Sequence, residues 1–268
     1  MNRNNIITIL SALLLLPFLA ACDYVAEGDQ LIEVALPEPP GSVTKKVLLE
    51  DFTGQRCVNC PKGTEVIEQL QQAYGDRVIA VGIHSGPLGF KGNATTVGLA
   101  TDLGDAYYNH WNLEYQPVGL IDRGTATNYT DWITSVRQQL NQQATTRIEV
   151  QAAVNGSNIE ITVQEEQQDA AFSGKLQVWV LEDGITALQL MPDGSSNRNY
   201  VHNHVLRTAV NGTWGEELTL VKGERRTQTY VQPLDASWNK TQLSIVAFVY
   251  NNSGVGQAEK IRIEELKN

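Results

Sequence analysis

Apolar and polar positions follow two different rhythms along this chain. From residue 47 to about residue 145, short apolar runs alternate with segments of helical spacing. Val47-Leu48-Leu49 reads as a strand. Lys62 to Tyr74 carries Val66, Ile67, Leu70 and Ala73 on one helical face. Arg77 to His84 is an apolar run with the length of a buried strand. Ser85 to Gly104, rich in glycine and threonine, reads as an insertion before a helix over Asp105 to Trp111. Pro117 to Asp122 opens another strand, and Asp131 to Gln143 is a helix with Ile133, Val136 and Leu140 on one side.

After Arg147 the period changes to two. Ile148, Val150, Ala152 and Val154 share a face, Asn155-Gly156-Ser157-Asn158 turns, and Ile159, Ile161 and Val163 return. Further strands are predicted at Lys175–Leu181, His204–Val210, Glu217–Val221, Arg226–Gln232, Leu243–Tyr250 and Ala258–Ile263. About eight short strands without helical periodicity predict an antiparallel sandwich of immunoglobulin-like kind over residues 146–268.

The first 46 residues have neither rhythm. Arg3 is followed by an apolar stretch from Ile6 to Phe18, too short for a comfortable membrane span. It ends Leu19-Ala20-Ala21-Cys22, which resembles the lipobox of bacterial lipoproteins. Residues 1–22 are therefore expected to be a lipoprotein signal peptide, with Cys22 as the lipid attachment residue. Residues 23–46, with Pro37, Pro39, Pro40 and five acidic residues, read as a flexible tether. This places the protein in the cell envelope, on the membrane through an N-terminal lipid.

Composition narrows the partners. Thirty acidic against twenty basic residues give a net charge of −10. That balance argues against nucleic acid and anionic membrane surfaces as primary partners. The 268 residues contain three cysteines. With Cys22 assigned to the lipid, Cys57 and Cys60 remain as a pair.

That pair carries the chemistry. Cys57-Val58-Asn59-Cys60-Pro61 sits where a strand ends and a helix begins. A helix N-terminus favours a thiolate, and Arg56 lies beside it in sequence. Pro61 suits the first turn of a helix. Three readings compete for this CxxC: half of a zinc site, a structural disulfide, or a redox pair. Zinc wants about four ligands, and no second CxxC exists. The redox reading makes Cys57 an exposed, activated thiol and Cys60 a buried one.

Two resemblances bear on this. Asp51-Phe52, four residues, Cys57-x-x-Cys60 and Lys62 resemble the active-site segment of thioredoxins. Tyr115-Gln116-Pro117-Val118 resembles the cis-proline segment that faces the cysteines in that fold. Arg56 and Val58-Asn59 depart from the usual pattern. More closely, Glu50-Asp51-Phe52-Thr53-Gly54-x-x-Cys57-x-Asn59-Cys60-Pro61, together with Asn203-His204-Val205-Leu206-Arg207, resembles the outer membrane protein Omp28 family of Gram-negative lipoproteins. The two together imply an α/β thioredoxin-like domain over residues 47–145 followed by an all-β immunoglobulin-like sandwich domain over 146–268.

The thioredoxin resemblance assigns roles. Cys57 would attack a disulfide of an exported protein, Cys60 would resolve the mixed disulfide, and Pro117, after a cis bond, would present backbone to the substrate. Asp51 would be a buried carboxylate with a raised pKa that takes the proton from Cys60. Strand alternation turns one of Glu50 and Asp51 inward and the other out, and Asp51 is the expected inward one. Thiol–disulfide exchange is thus the leading expectation. A binding or surface-interaction lipoprotein with little turnover is the alternative, favoured by a β-rich half without a catalytic motif.

The remaining constellations are weaker. His202 and His204 would project the same way from a strand, a spacing that can chelate a metal; ordinary polar residues on a strand explain them better. His84 could tune the thiol, although a solvated strand-end histidine is commoner. Ser85 to Gly92 lacks the GK[ST] ending of a phosphate loop. No cofactor and no metal site is expected. Trp179 is expected in the core.

Overall fold

The computed structural model describes residues 43–265. The signal peptide, Cys22 and residues 23–42 of the expected tether lie outside the described residues.

The first elements are β1 (Val47–Thr53), α1 (Cys60–Tyr74), β2 (Val78–His84), α2 (Asp102–His110), β3 (Val118–Ile121), β4 (Ala126–Asn128) and α3 (Trp132–Leu140). Then come β5 (Thr146–Asn155), β6 (Asn158–Gln167), β7 (Phe172–Glu182), β8 (Ile185–Leu190), β9 (Ser196–His202) and β10 (Val205–Ala209). The series closes with β11 (Glu216–Leu220), β12 (Arg225–Pro233), β13 (Leu243–Asn251), β14 (Gly254–Arg262) and β15 (Glu264–Glu265).

The expected division into a thioredoxin-like α/β domain and a separate immunoglobulin-like sandwich is incorrect. Strands dominate the chain, and those on either side of position 145 form one mixed nine-stranded sheet. Its order is β14-β13-β7-β10-β2-β1-β3-β4, with β11 beside β7. The seam is β10 running parallel to β2, with Val205 opposite Gly82 and the Gly82 N–H donating to the His204 carbonyl at 2.8 Å. A second sheet, β12-β6-β5-β15, lies over part of it.

Alternation along the strands explains the layering. One face of the large sheet presents Leu48 and Phe52 from β1, Trp179 and Leu181 from β7, and Phe248 from β13, in one core closed by Tyr107 and Tyr108 of α2. The other face has two covers. Over β1 to β3, Val47, Leu49 and Ala80 pack against Ile67 and Leu70 of α1 and Trp132 and Val136 of α3. Over β7, β11 and β13, Leu176, Val178, Leu218 and Ile245 pack against Ile148, Val150, Ile161 and Val163 of the second sheet. The sheet also curls: the Val255 N–H of β14 donates to the Asp122 carbonyl after β3 at 2.8 Å. Lys45 joins the same place, 2.9 Å from Asp122 and 3.0 Å from the Val255 carbonyl, both of its contacts buried.

Strand β1 is buried at all seven positions. The alternation expectation for Glu50 and Asp51 therefore fails in one respect. Glu50 shares the face of Leu48 and Phe52, Asp51 points to the opposite face, and both are inside because the sheet is covered on both sides.

Two outcomes follow. A fragment ending at residue 145 leaves Leu48, Phe52 and Ile83 without Trp179 and Phe248, so it should stay unfolded by circular dichroism and amide exchange; an independently folded fragment would contradict the continuous sheet. A methyl group on Gly119 would run into the Trp132 indole. Gly119→Ala should therefore cost about 1–3 kcal/mol in urea unfolding, the usual range for overpacking.

Candidate functional site

The cysteine loop is built by β1 and α1. Strand β1 ends at Thr53, and Cys60 opens the helix, with Pro61 in its first turn and Asn59 at the N-cap. The Cys57 N–H donates to the Gly54 carbonyl at 3.0 Å and the Arg56 N–H to the Leu88 carbonyl at 3.0 Å. Cys57 and Cys60 form a disulfide with a Cα–Cα distance of 5.4 Å. The Gln116–Pro117 peptide bond is cis. Pro117 lies against the first helical turn, where a methyl group on Gly63 would come 3.4 Å from its Cβ.

One expectation about the loop is corrected. Cys57 is not the exposed member: Cys57 and Cys60 are each 2% exposed. The Arg56 guanidinium lies 4.8 Å from the Phe90 ring centroid.

Against the cysteine loop packs a hairpin absent from the strand pattern of the sequence. Strands β8 and β9 form their own two-stranded sheet. From β8, the Gln189 amide donates to the Cys57 carbonyl at 2.8 Å and to the Gly54 carbonyl at 3.3 Å. The Leu190 N–H donates to the Gln55 carbonyl at 2.9 Å. Gln55, 1% exposed, donates to Leu188 of the hairpin and to Val97, each at 3.0 Å, and accepts from the Leu99 N–H at 2.9 Å. Gln116 donates to the Thr53 and Ser85 carbonyls at 2.7 and 3.0 Å. Three buried glutamines thus brace the cysteine loop against the hairpin and the residue 85–100 loop. Each pairs with backbone groups that would be costly to leave unmade in an interior. A lone glutamine carries no periodic signal, so the sequence did not reveal them.

Behind Cys60 is a cavity of about 210 Å³ lined in part by Asp51, His84, Gln189, Tyr200 and His202. Asp51 is 3% exposed, and its Oδ1 has no hydrogen-bond partner. Burial without a counter-charge pushes its pKa up to about 8. His84 and His202 meet edge to face at 5.1 Å between centroids. Burial lowers the His84 pKa well below its ordinary value, with the charges of His202 and Arg207 adding to the effect. Burial likewise holds His202 down, to about 4. His84 is therefore packed inside, not solvated at a strand end.

His202 and His204 do not converge. Strand β9 stops at His202, which turns inward, and His204 has φ 58°. Its Nδ1 instead lies 3.0 Å from Asp183. Burial opposes the Asp183 charge, but the His204 hydrogen bond and the nearby Lys260 cation outweigh it and hold the pKa well below the usual carboxylate range. Among the described residues no group of three or more His, Cys, Asp or Glu is placed to hold a metal ion.

Comparison with known proteins adds the family. The family described as Outer membrane protein Omp28 matches residues 104–267, more than half of the chain. The chain belongs to the Omp28 outer membrane protein family. A lipid-anchored cell-envelope location is consistent with that membership. The matched span begins after Cys60, so it leaves the disulfide loop outside. No curated protein matches the chain. Among solved structures, HBP35 of Porphyromonas gingivalis aligns with TM-score 0.64 and 16% identity, over 83% of this chain and 76% of that one. Protein AGR_C_4864 from Agrobacterium tumefaciens aligns with TM-score 0.51 and 16% identity, over 84% and 98%. A domain of the outer membrane lipoprotein Omp28 from Porphyromonas gingivalis is 27% identical over 46% of this chain and 92% of that one, with TM-score 0.35. The first two likenesses are to the whole mixed-sheet fold, in keeping with the correction above.

Asp51 sets a pH dependence. Neutral when folded up to about pH 8 and ionised when unfolded above about pH 4, it contributes stability fully present below pH 4. That contribution is lost as pH rises to about 8, by no more than roughly 6 kcal/mol. Asp51→Asn should abolish this slope, so its stability gain over wild type should grow from pH 4 to pH 8 and then level off. Parallel curves for the two proteins would show that Asp51 does not titrate as described. Gln189→Leu removes donors to three backbone carbonyls and should cost about 1–3 kcal/mol in the same measurement.

Proposed function

We propose that the protein is an outer-membrane binding or surface-interaction lipoprotein, tethered through Cys22, whose Cys57–Cys60 disulfide is a closed structural staple with little or no turnover. One observation carries this reading. The two sulfur-bearing residues lie under the β8–β9 hairpin at 2% exposure each, braced by Gln55 and Gln189. A substrate thiolate must reach a disulfide sulfur in line, so a covered disulfide exchanges only after the cover lifts. Family membership in the outer membrane group points the same way. In this role Asp51 and Pro117 pack beneath and beside the staple and handle no substrate. With a net charge of −10, nucleic acid is not among the expected partners.

Thiol–disulfide exchange keeps one observation in its favour: Asp51, with its raised pKa, shares the small cavity with Cys60. Such a carboxyl is suited to take a proton from a resolving thiol near neutrality. Insulin reduction separates the two readings. The full chain should reduce insulin no faster than the Cys57→Ser/Cys60→Ser double variant. A rate well above that variant, lost in Asp51→Asn, would establish exchange and overturn the binding reading.

A further inference from the structure

Most strand edges of the two larger sheets are short, charged or met by another segment. In the nine-stranded sheet, β4 ends the order with three residues, and β11 is a five-residue edge that opens on Glu216 and Glu217. At the opposite end, the Val255 N–H of β14 is taken by the Asp122 carbonyl. In the second sheet, β15 ends the order with Glu264 and Glu265. Strand β12 is the exception. It runs nine residues, Arg225–Pro233, in unbroken register with β6. A long, flat, unpaired edge recruits another strand unless something blunts it.

Two hydrogen bonds fix which backbone groups of β12 face outward. At one end the Gln167 N–H donates to the Glu224 carbonyl at 3.0 Å, and at the other the Leu234 N–H donates to the Ser157 carbonyl at 2.8 Å. Even-numbered residues therefore turn their backbone groups toward β6. Alternation then points the N–H and C=O of Arg225, Thr227, Thr229 and Val231 away from it. Among the described residues no strand pairs with that side. Pro233, which has no N–H, ends the row. The side chains of all four residues are exposed, and Val231, at 64%, is the most exposed large apolar residue among those described.

The outward row is its own complement. A second copy, antiparallel and turned about a two-fold axis at Gln228, sets Thr227 opposite the partner's Thr229 and Arg225 opposite the partner's Val231. Each outward N–H then meets an outward carbonyl, and Pro233 falls outside the ladder. No like charges stand opposite each other in this register. Each arginine is already paired within its own chain, Arg225 with Glu166 at 2.8 Å and Arg226 with Glu224 at 2.9 Å. The aliphatic stem of Arg225 covers the partner's Val231. This self-match selects a second copy over a strand of another protein.

We propose that β12 is a homodimer contact, through which two copies of this chain join their β12-β6-β5-β15 sheets into one across a two-fold axis. The contact is a single strand edge, so it belongs to the small, reversible class of interfaces. The inference goes beyond the binding reading above and does not rest on the state of the disulfide.

The test is sedimentation equilibrium of the full chain carrying Cys22→Ser, so that no lipid drives association. The chain with its native β12 should form a concentration-dependent dimer with a dissociation constant below about 200 μM. Thr227 and Thr229 face the uncharged Gln164 and Thr162 of β6, so charges placed there act mainly across the two-fold axis. Thr227→Lys/Thr229→Lys puts like charges opposite each other at both crossings and should weaken dimerisation about tenfold or more. Thr227→Lys/Thr229→Glu puts opposite charges there and should stay within about threefold of the native strand. Both positions are exposed, and circular dichroism checks that each variant folds. Three results would overturn the proposal: a monomer at about 500 μM, unchanged dimerisation in the double-lysine variant, or equal weakening by both variants. An edge reserved for a strand of another protein would appear as the first of these.

Discussion

Strand β1 imposes the constraint on which the rest of the molecule depends. Seven consecutive residues, Val47 to Thr53, are buried, and the run contains two adjacent carboxylates facing opposite ways. An isolated buried carboxylate is costly, so each must be neutralised or paired. The two sides solve this differently. On one face Glu50 meets Arg123, brought in by a turn in the left-handed region. On the other, Asp51 has no cation, and burial drives it toward the protonated form near neutral pH. The Lys45–Asp122 pair next to that turn is nearly dry as well, at 3% and 5% side-chain exposure. Buried ion pairs of this kind rarely add stability, but removing one partner is expensive. They fix where β14 meets β1 when the sheet curls.

The same strand positions the cysteine loop. Its C-terminal end delivers that loop to the β8–β9 hairpin, and the turn after its neighbour β3 brings Arg123 to Glu50. On the reading proposed above, the hairpin sets what the disulfide can do. Gln189 spends its amide hydrogens on the carbonyls around Cys57, so the hairpin and the staple form one hydrogen-bonded unit. A CxxC at the start of a helix has the chemistry for exchange, but exchange needs access, and Cys57 and Cys60 are each 2% exposed. The second half of the chain, which supplies this hairpin, also supplies most of the family match.

Much of this was legible in the sequence, and the reasons differ by element. The period-two alternation of Ile148 to Val154, the turn at Asn155-Gly156 and the return at Ile159 gave β5 and the start of β6, which runs on past Val163 to Gln167. The strand–cysteine–helix order placed the CxxC correctly, since local signals decide local structure. Sheet partners did not follow, because pairing between β2 and β10 joins residues more than a hundred positions apart and leaves no local trace. The β8–β9 hairpin was missed because β9, Ser-Asn-Arg-Asn-Tyr-Val-His, has almost no apolar alternation. Arg123 gave no signal at all: arginine is not a residue whose presence announces a left-handed turn. Alternation alone also misjudged Glu50, because it assumes one wet face and β1 has none.

The central claim is that the disulfide is sealed by the folded hairpin. Its most direct test is the rate at which dithiothreitol reduces the Cys57–Cys60 bond in the native chain, compared with the chain in concentrated urea and with native Gln189→Leu. The account predicts reduction about a hundredfold or more slower in the native protein, with Gln189→Leu in between, because opening the cover costs a few kcal/mol. Equal rates in the native and unfolded chains, with Gln189→Leu indistinguishable from both, would show that the sulfurs are freely reached and that the hairpin seals nothing.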